Sequence, residues 1–230
     1  MGTQWRYYLR RLGWSLVRLS EAKLPQDHLD LSGDRDVEWS WIAGNLPERP
    51  GEVLDFGPSS STSGLIAAFR GGKVTGLDLE TPPVLSYLHA DLSMRQGDIL
   101  THDFGDRRFD TVINCSTVEH VGLPGRYGSP DMADGDLKAM ARLRALMRGP
   151  ASRMVMTIPV GVDGVFAPAH RVYGRKRFPM LTSGFSIMRQ VYFAKSLPDR
   201  RWQETSPDAA FAVAGSASFY ALGLFVLAPG

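Results

Sequence analysis

Five short apolar runs constrain this chain more than any other feature. They are "GEVLDFG", "KVTGLDLE", "DLSMRQGDIL", "FDTVINCS" and "SRMVMTIPVG". Each holds a strand-length stretch that runs into glycine or a polar residue. Helical periodicity interrupts the series: "STSGLIAAF" follows the first run and "DGDLKAMARLRALM" follows the fourth. The second of these helices opens at an aspartate and stops at Gly149-Pro150, as helices do. Strands alternating with helices predict an α/β fold, a parallel sheet covered on both faces. Two later runs, "FSIMRQVYFAKSL" and "FYALGLFVLA", have only a loop or short helix between them. They predict an antiparallel pair at the sheet edge.

The 230 residues, 43% of them hydrophobic, suit a single globular unit with one core. Within it, residues 49–230 carry the strand series. Residues 1–48 are expected to form helices that pack on that domain or lid its site. The first of these, in "MGTQWRYYLRRLGWSLVRL", sets Trp5, Leu9, Leu12, Leu16 and Leu19 at helical spacing among basic residues. It lacks the clean apolar core of a cleaved leader. A second helix is expected in "DRDVEWSWIAGNL".

A net charge of +2 gives no argument for nucleic acid or an anionic membrane as partner. No apolar run reaches the roughly 20 residues that cross a bilayer. The single cysteine, Cys115, excludes a disulfide framework and suits a reducing cytoplasm. It sits mid-strand and reads as core filler.

In sheets of this kind the ligand lies beyond the carboxyl ends of the strands. The first strand runs into Asp55-Phe56-Gly57-Pro58-Ser59. Gly57 lets backbone approach a ligand closely, and the serines and the next helix offer hydrogen-bond donors. A dinucleotide fingerprint needs two further glycines, but Ser59 and Ser61 stand there, which excludes a nicotinamide dehydrogenase. About twenty residues on, the second strand ends in Asp78, placed to accept both hydroxyls of a ribose. After the third strand, Asp98 can accept an adenine amino group with Ile99 against the ring. Asp55, Gly57, Asp78 and Asp98 stand at successive strand ends, so one adenosine can reach them all.

"VLDFGPSSS", "VTGLDLE", "QGDIL" and "FDTVINCSTVEHVG" together resemble the successive motifs of class I S-adenosylmethionine-dependent methyltransferases. The resemblance covers roughly residues 50–160. It implies a Rossmann-like, seven-stranded, mostly parallel sheet with helices on both faces and an antiparallel last strand. It implies S-adenosyl-L-methionine as cofactor and S-adenosyl-L-homocysteine as product. On the matching positions, Asp55 and Gly57, with Pro58 and Ser59, would face the methionine part. Asp78 would face the ribose, Asp98 and Ile99 the adenine. The usual glycine-rich run is thinned here to one glycine, Pro58 and serines.

Methyl transfer is an in-line displacement that holds the acceptor about 3 Å from the sulfonium methyl and removes a proton. "STVEHVG", from Ser116, occupies the end of the fourth strand, beside the expected methyl. His120 is the kind of side chain whose unperturbed pKa falls near neutral pH, and Glu119 could orient a ligand or shape the pocket. Both also suit a satisfied loop pair. Beyond them Arg126, Tyr127, Asp131 and Asp134 would form a substrate wall, with Asp134 or Asp136 capping the next helix. The loop after the fifth strand supplies Asp163, His170, Arg171 and Tyr173, expected to face the first loop across the pocket. The basic run 171–177 reads as a solvated face or a phosphate contact. No compact ligand spacing marks a metal site, so a metal is not favoured.

These loops also resemble a narrower set of small bacterial methyltransferase-like proteins, through "EH-GL-RYG-P-D-DGD" and "G-D…HR-YG". That resemblance points to enzymes that methylate amino sugars, as in aminoglycoside antibiotic pathways. A polycationic acceptor would suit Asp131, Asp134, Asp163 and Glu119, and His120 or His170 could take the amine proton. N-methylation is therefore favoured over O-methylation. Two alternatives remain: a non-catalytic cofactor-binding partner module, and an O-methyltransferase of a nucleotide sugar or another natural product. Oligomeric state is left open.

Overall fold

The computed structural model describes residues 33–58, 62–80, 89–125, 127, 130–195 and 201–230. The helix expected over residues 5–19 lies outside them, as do Ser59 and Arg126.

The five apolar runs form β1 (Glu52–Phe56), β2 (Lys73–Asp78), β3 (Leu92–Gln96), β4 (Thr111–Cys115) and β5 (Arg153–Val160). The five are parallel to one another. Helix α1 (Asp34–Asn45) precedes β1, α2 (Thr62–Phe69) follows it, and α3 (Gly135–Leu146) joins β4 to β5. After β5 come the hairpin β6 (Gly164–Phe166) and β7 (His170–Val172), α4 (Arg177–Leu181), β8 (Phe185–Lys195), β9 (Trp202–Thr205), α5 (Pro207–Phe211) and β10 (Ala221–Pro229).

The main sheet runs β3-β2-β1-β4-β5-β10-β8-β9. The last strand, β10, slots between β5 and β8, antiparallel to both. Seven strands match the expected sheet. An eighth, β9, adds an edge by pairing Trp202–Thr205 with the end of β8. The strand count of seven is thus corrected to eight. A four-residue strand buried only at Trp202 carries little apolar signal in sequence.

Strand alternation sends side chains to two packed faces. On one, Leu54, Phe56, Val112, Met154 and Met156 pack with Ala139, Met140 and Leu143 of α3 and with Phe178 and Leu181 of α4. On the other, α1 and α2 pack on the sheet, and Gly64 of α2 lies close against Asp55 and Val74. Burial on both faces explains why β4 is buried at all five positions. Among the described residues no helix is long and apolar enough to cross a membrane.

Candidate active site

A cleft opens beyond the carboxyl ends of β1, β2, β3 and β4. Its position follows from the order reversal between β1 and β4: β1 feeds a helix on one side of the switch, β4 on the other.

At the end of β1 the chain turns through Gly57 at φ +64°. A Cβ there would stand 2.0 Å from Thr117 Cγ2, so the position admits only glycine. Thr117 Oγ1 donates to the carbonyl of Gly57 at 3.1 Å, tying the two loops together. Gly57 and Thr117 both line the cleft. Pro58 lies beside β2, close over Gly76.

Asp78, Asp98 and Ile99 line the same cleft. The N–H of Gly97 donates to the Asp78 carbonyl at 2.8 Å, which brings the two acidic strand ends side by side. Asp98 Oδ1 accepts the N–H of Leu100 at 2.9 Å, and Ile99 is buried. Asp55 is placed differently. It is buried beneath α2 and is not among the cleft-lining residues. Ser63 Oγ donates to its two oxygens at 3.1 and 2.9 Å. Burial pushes its carboxyl up to about 7, against the opposing bonds from Ser63 and the Gly64 N–H. Asp55 joins β1 to α2 and stands behind the cleft wall.

Ser116 turns β4 into the cleft at φ +47°, a left-handed conformation rare outside glycine. Its hydroxyl donates to Glu38 of α1. Thr157 of β5 donates to the same Glu38 oxygen at 2.8 Å, and Arg35 donates to the other at 2.7 Å. Arg35 itself lines the cleft. The sequence reading missed both Arg35 and Glu38. The readable signal was Glu38 on the apolar face that Val37, Trp41 and Ile42 form on α1.

Glu119 and His120 lie in a short 3₁₀ turn, Val118–His120. His120 lines the cleft, its ring edge-on to Tyr127 at 4.9 Å. His120 Nδ1 is 2.6 Å from the Ala169 carbonyl. A carbonyl only accepts, so Nδ1 carries a proton and, in the neutral ring, the lone pair resides on Nε2. That nitrogen is 3.8 Å from Glu119 Oε1. Glu119 is 1% exposed and its Oε2 has no hydrogen-bond partner among the described residues. Burial pushes its carboxyl up to about 8. Burial likewise pushes the Cys115 thiol up, which leaves it inert.

Several residues of the expected substrate wall are spent on structure. Arg171 is buried and donates to the carbonyls of Val121 (2.6 Å), Met132 (3.2 Å) and Ala133 (3.3 Å). It clamps the loop between the 3₁₀ turn and α3. Tyr173 is buried and donates to Asp136 at 3.1 Å. Asp136 also accepts from Arg177 at 2.9 and 2.6 Å. The basic run 171–177 is therefore not a solvated face or a phosphate contact at Arg171 and Arg177. Asp163 accepts the N–H groups of Gly174, Lys176 and Arg177 and so caps the start of α4. Asp134 holds the N-cap position of α3 without a side-chain cap bond and lies 3.5 Å from Arg177. Asp131 is exposed. His170 is buried away from the cleft lining, its Nε2 3.1 Å from the Ser216 carbonyl and its ring edge-on to Tyr220. Of the described residues expected to contact substrate, Tyr127 alone lines the cleft. Among the described residues no cluster of His, Cys, Asp and Glu could hold a metal ion.

The matching family model, described as a Caenorhabditis protein of unknown function (DUF268), spans residues 92–200, less than half of the chain. No curated protein matches the sequence. Solved structures match closely in fold. A Burkholderia thailandensis 1,6-didemethyltoxoflavin N1-methyltransferase, with 1,6-didemethyltoxoflavin and S-adenosylhomocysteine bound, is 18% identical at a TM-score of 0.57. The match covers 96% of this chain and 90% of that one. The N-methyltransferase NodS of Bradyrhizobium japonicum, in complex with S-adenosylhomocysteine, is 10% identical at a TM-score of 0.58, over 88% and 89% of the two chains. The [4+2]-cyclase SpnF is 14% identical at a TM-score of 0.57, over 84% and 80%. The last comparison shows that the architecture serves more than one chemistry. With its strand order, its antiparallel β10 and its cleft over the strand ends, the chain has the fold of the class I S-adenosylmethionine-dependent methyltransferases.

Proposed function

We propose that this protein transfers a methyl group from S-adenosylmethionine to a small polar acceptor. The observation that carries the reading is the convergence of Gly57, Asp78, Asp98 and Ile99 on one cleft at the strand-order switch. The residues present fit the cofactor. Asp78 would accept the ribose hydroxyls, Asp98 the adenine amino group, and Ile99 would cover the ring. Gly57 leaves room for the methionine part, and Arg35 offers a guanidinium to its carboxylate. Bound S-adenosylmethionine supplies an electrophilic sulfonium methyl.

The protein's part is to position the acceptor and take its proton. His120 is our choice for that proton, received at Nε2. Its place in the cleft lining supports it over His170. Glu119 sits behind His120, and a carboxyl raised to about 8 holds its own proton at neutral pH. In that state it cannot serve as a competing base in the resting protein.

The acceptor group we favour is an amine, and the finer reading is an amino sugar of the aminoglycoside type. Its support is narrower than the sequence suggested, because Asp163 and Asp134 have structural partners. Asp131 remains for a cationic acceptor, since the buried Glu119 carboxyl keeps its proton. The two N-methyltransferases of like fold agree with a nitrogen acceptor without bearing on the sugar. A cytoplasmic location belongs to the same proposal and rests on the single cysteine.

The test is a methyl-transfer assay on aminoglycosides, nucleotide sugars and small phenols, read by mass spectrometry. A gain of one CH₂ on an aminoglycoside nitrogen supports the full reading. Methylation of a hydroxyl overturns the amine preference. Cofactor binding without transfer to any acceptor favours the partner-module alternative.

A further inference from the structure

We infer that Glu38 is a positioning residue that fixes Arg35 and the Ser116 turn together at one end of the cleft. This goes beyond the proposed function and rests on it only for the identity of the ligand that Arg35 meets.

Glu38 is 1% exposed on the apolar face of α1, between Val37 and Trp41. A carboxylate in that place is costly to bury unless its oxygens are filled. They are filled by donors from three separate elements. Arg35 donates from α1, Ser116 from the end of β4, and Thr157 from the middle of β5. Two of these donors, Arg35 and Ser116, line the cleft. Ser116 also holds a backbone conformation at φ +47° that side chains disfavour, so an outside contact must hold it there. Glu38 supplies that contact.

Arg35 is held in a directional way. Its bonds to Glu38, to the Cys115 carbonyl and to Cys115 Sγ all leave from Nη1. Among the described residues no bond engages Nη2 or Nε, the donors that face a ligand in the proposal. A guanidinium anchored at one nitrogen and open at the other two presents a preset fork for a carboxylate. Without Glu38 the side chain, 43% exposed, would keep among the described residues only weak bonds of 3.3 to 3.4 Å. The ligand it serves is then one with a carboxylate at the Ser116 end of the cleft. An adenosine-type ligand without that group should be indifferent to Glu38.

The experiment uses the full chain and two probes, S-adenosylhomocysteine and 5′-methylthioadenosine, which lacks the amino-acid end. Glu38→Met keeps the volume on the apolar face and removes both acceptor oxygens. It should weaken S-adenosylhomocysteine about tenfold or more, the range for a lost charge-assisted bond. Binding of 5′-methylthioadenosine should stay within about twofold of wild type. Glu38→Gln retains one acceptor and should recover most of the loss. Where Glu38→Met does not fold, Glu38→Gln against wild type gives the same comparison at smaller amplitude. Equal loss for both probes, or no loss for either, overturns the inference. A second arm needs no ligand: ¹⁵N relaxation of the Arg35 Nε–H should report an ordered side chain in wild type and a mobile one in the Glu38 variants. Unchanged order overturns the inference. If wild type binds neither probe, the cofactor reading fails by itself, and the relaxation arm still decides on Glu38.

Discussion

Gly57 and Thr117 meet so closely that a Cβ on the first would stand 2.0 Å from Cγ2 of the second, while the Thr117 hydroxyl donates to the Gly57 carbonyl. The left-handed φ of +64° adds to this steric bar. Gly57→Ala is therefore expected to separate the β1 and β4 loops. The expected cost is about 1–3 kcal/mol of stability, with loss of S-adenosylhomocysteine binding. Chemical denaturation and calorimetry on the same preparation check both.

Arg171 predicts a different pattern. It supports three loop carbonyls and lies 3.8 Å from the buried Asp136. Arg171→Ala strands those acceptors and leaves a buried carboxylate short of a partner, a loss on the order of 3–5 kcal/mol. Arg171→Lys should not rescue it, because a single ammonium cannot reach several carbonyls at once. Thermal melts should show both variants strongly destabilised. A variant of normal stability that failed only in substrate binding would return Arg171 to the substrate wall.

These two residues also mark how far the sequence could be read. The strand order and the acids at strand ends were legible, because glycine turns and alternating burial are local signals. Asp78, Asp98 and Gly57 line one cleft at the strand ends. Asp55 belongs to the same pattern, yet it faces α2, since strand alternation turns it to the opposite face from Leu54 and Phe56. In the loops the reading weakened. Asp163, Arg171 and Tyr173 look functional as a string of polar residues, but their partners are backbone groups and Asp136, 11 to 50 residues away. Such pairings exist only once the loops dock. Glu38 was missed for the same reason, since Ser116 and Thr157 are 78 and 119 residues from it.

Asp55 gives a prediction in pH. Its folded carboxyl is raised from 3.8 to about 7, chiefly by burial. The unfolded chain releases this proton first, so stability is full below about pH 4 and falls as pH rises to about 7, then levels. Asp55→Asn keeps an acceptor for Ser63 and removes the charge. Its melting temperature should vary less across this window than that of wild type, with a gain on the order of a few kcal/mol at pH 8. Parallel pH profiles for the two proteins would contradict the account.

His120 should separate chemistry from binding. His120→Ala removes the ring that bonds Ala169 and packs on Tyr127, but leaves Asp78, Asp98 and Ile99 in place. Turnover on a methylated acceptor should fall roughly 10²–10⁴-fold with cofactor affinity nearly unchanged. His170→Ala should spare turnover by comparison. The reverse order of effects would exchange their roles.

The central claim is that the cleft over the strand ends holds S-adenosylmethionine. Isothermal calorimetry of S-adenosylhomocysteine with the full chain, beside Asp78→Ala, tests it most directly. The account predicts saturable one-to-one binding by wild type, weakened on the order of tenfold or more by Asp78→Ala as the ribose acceptor is lost. A folded wild-type protein that binds no S-adenosylhomocysteine, or binds it equally well without Asp78, would contradict it.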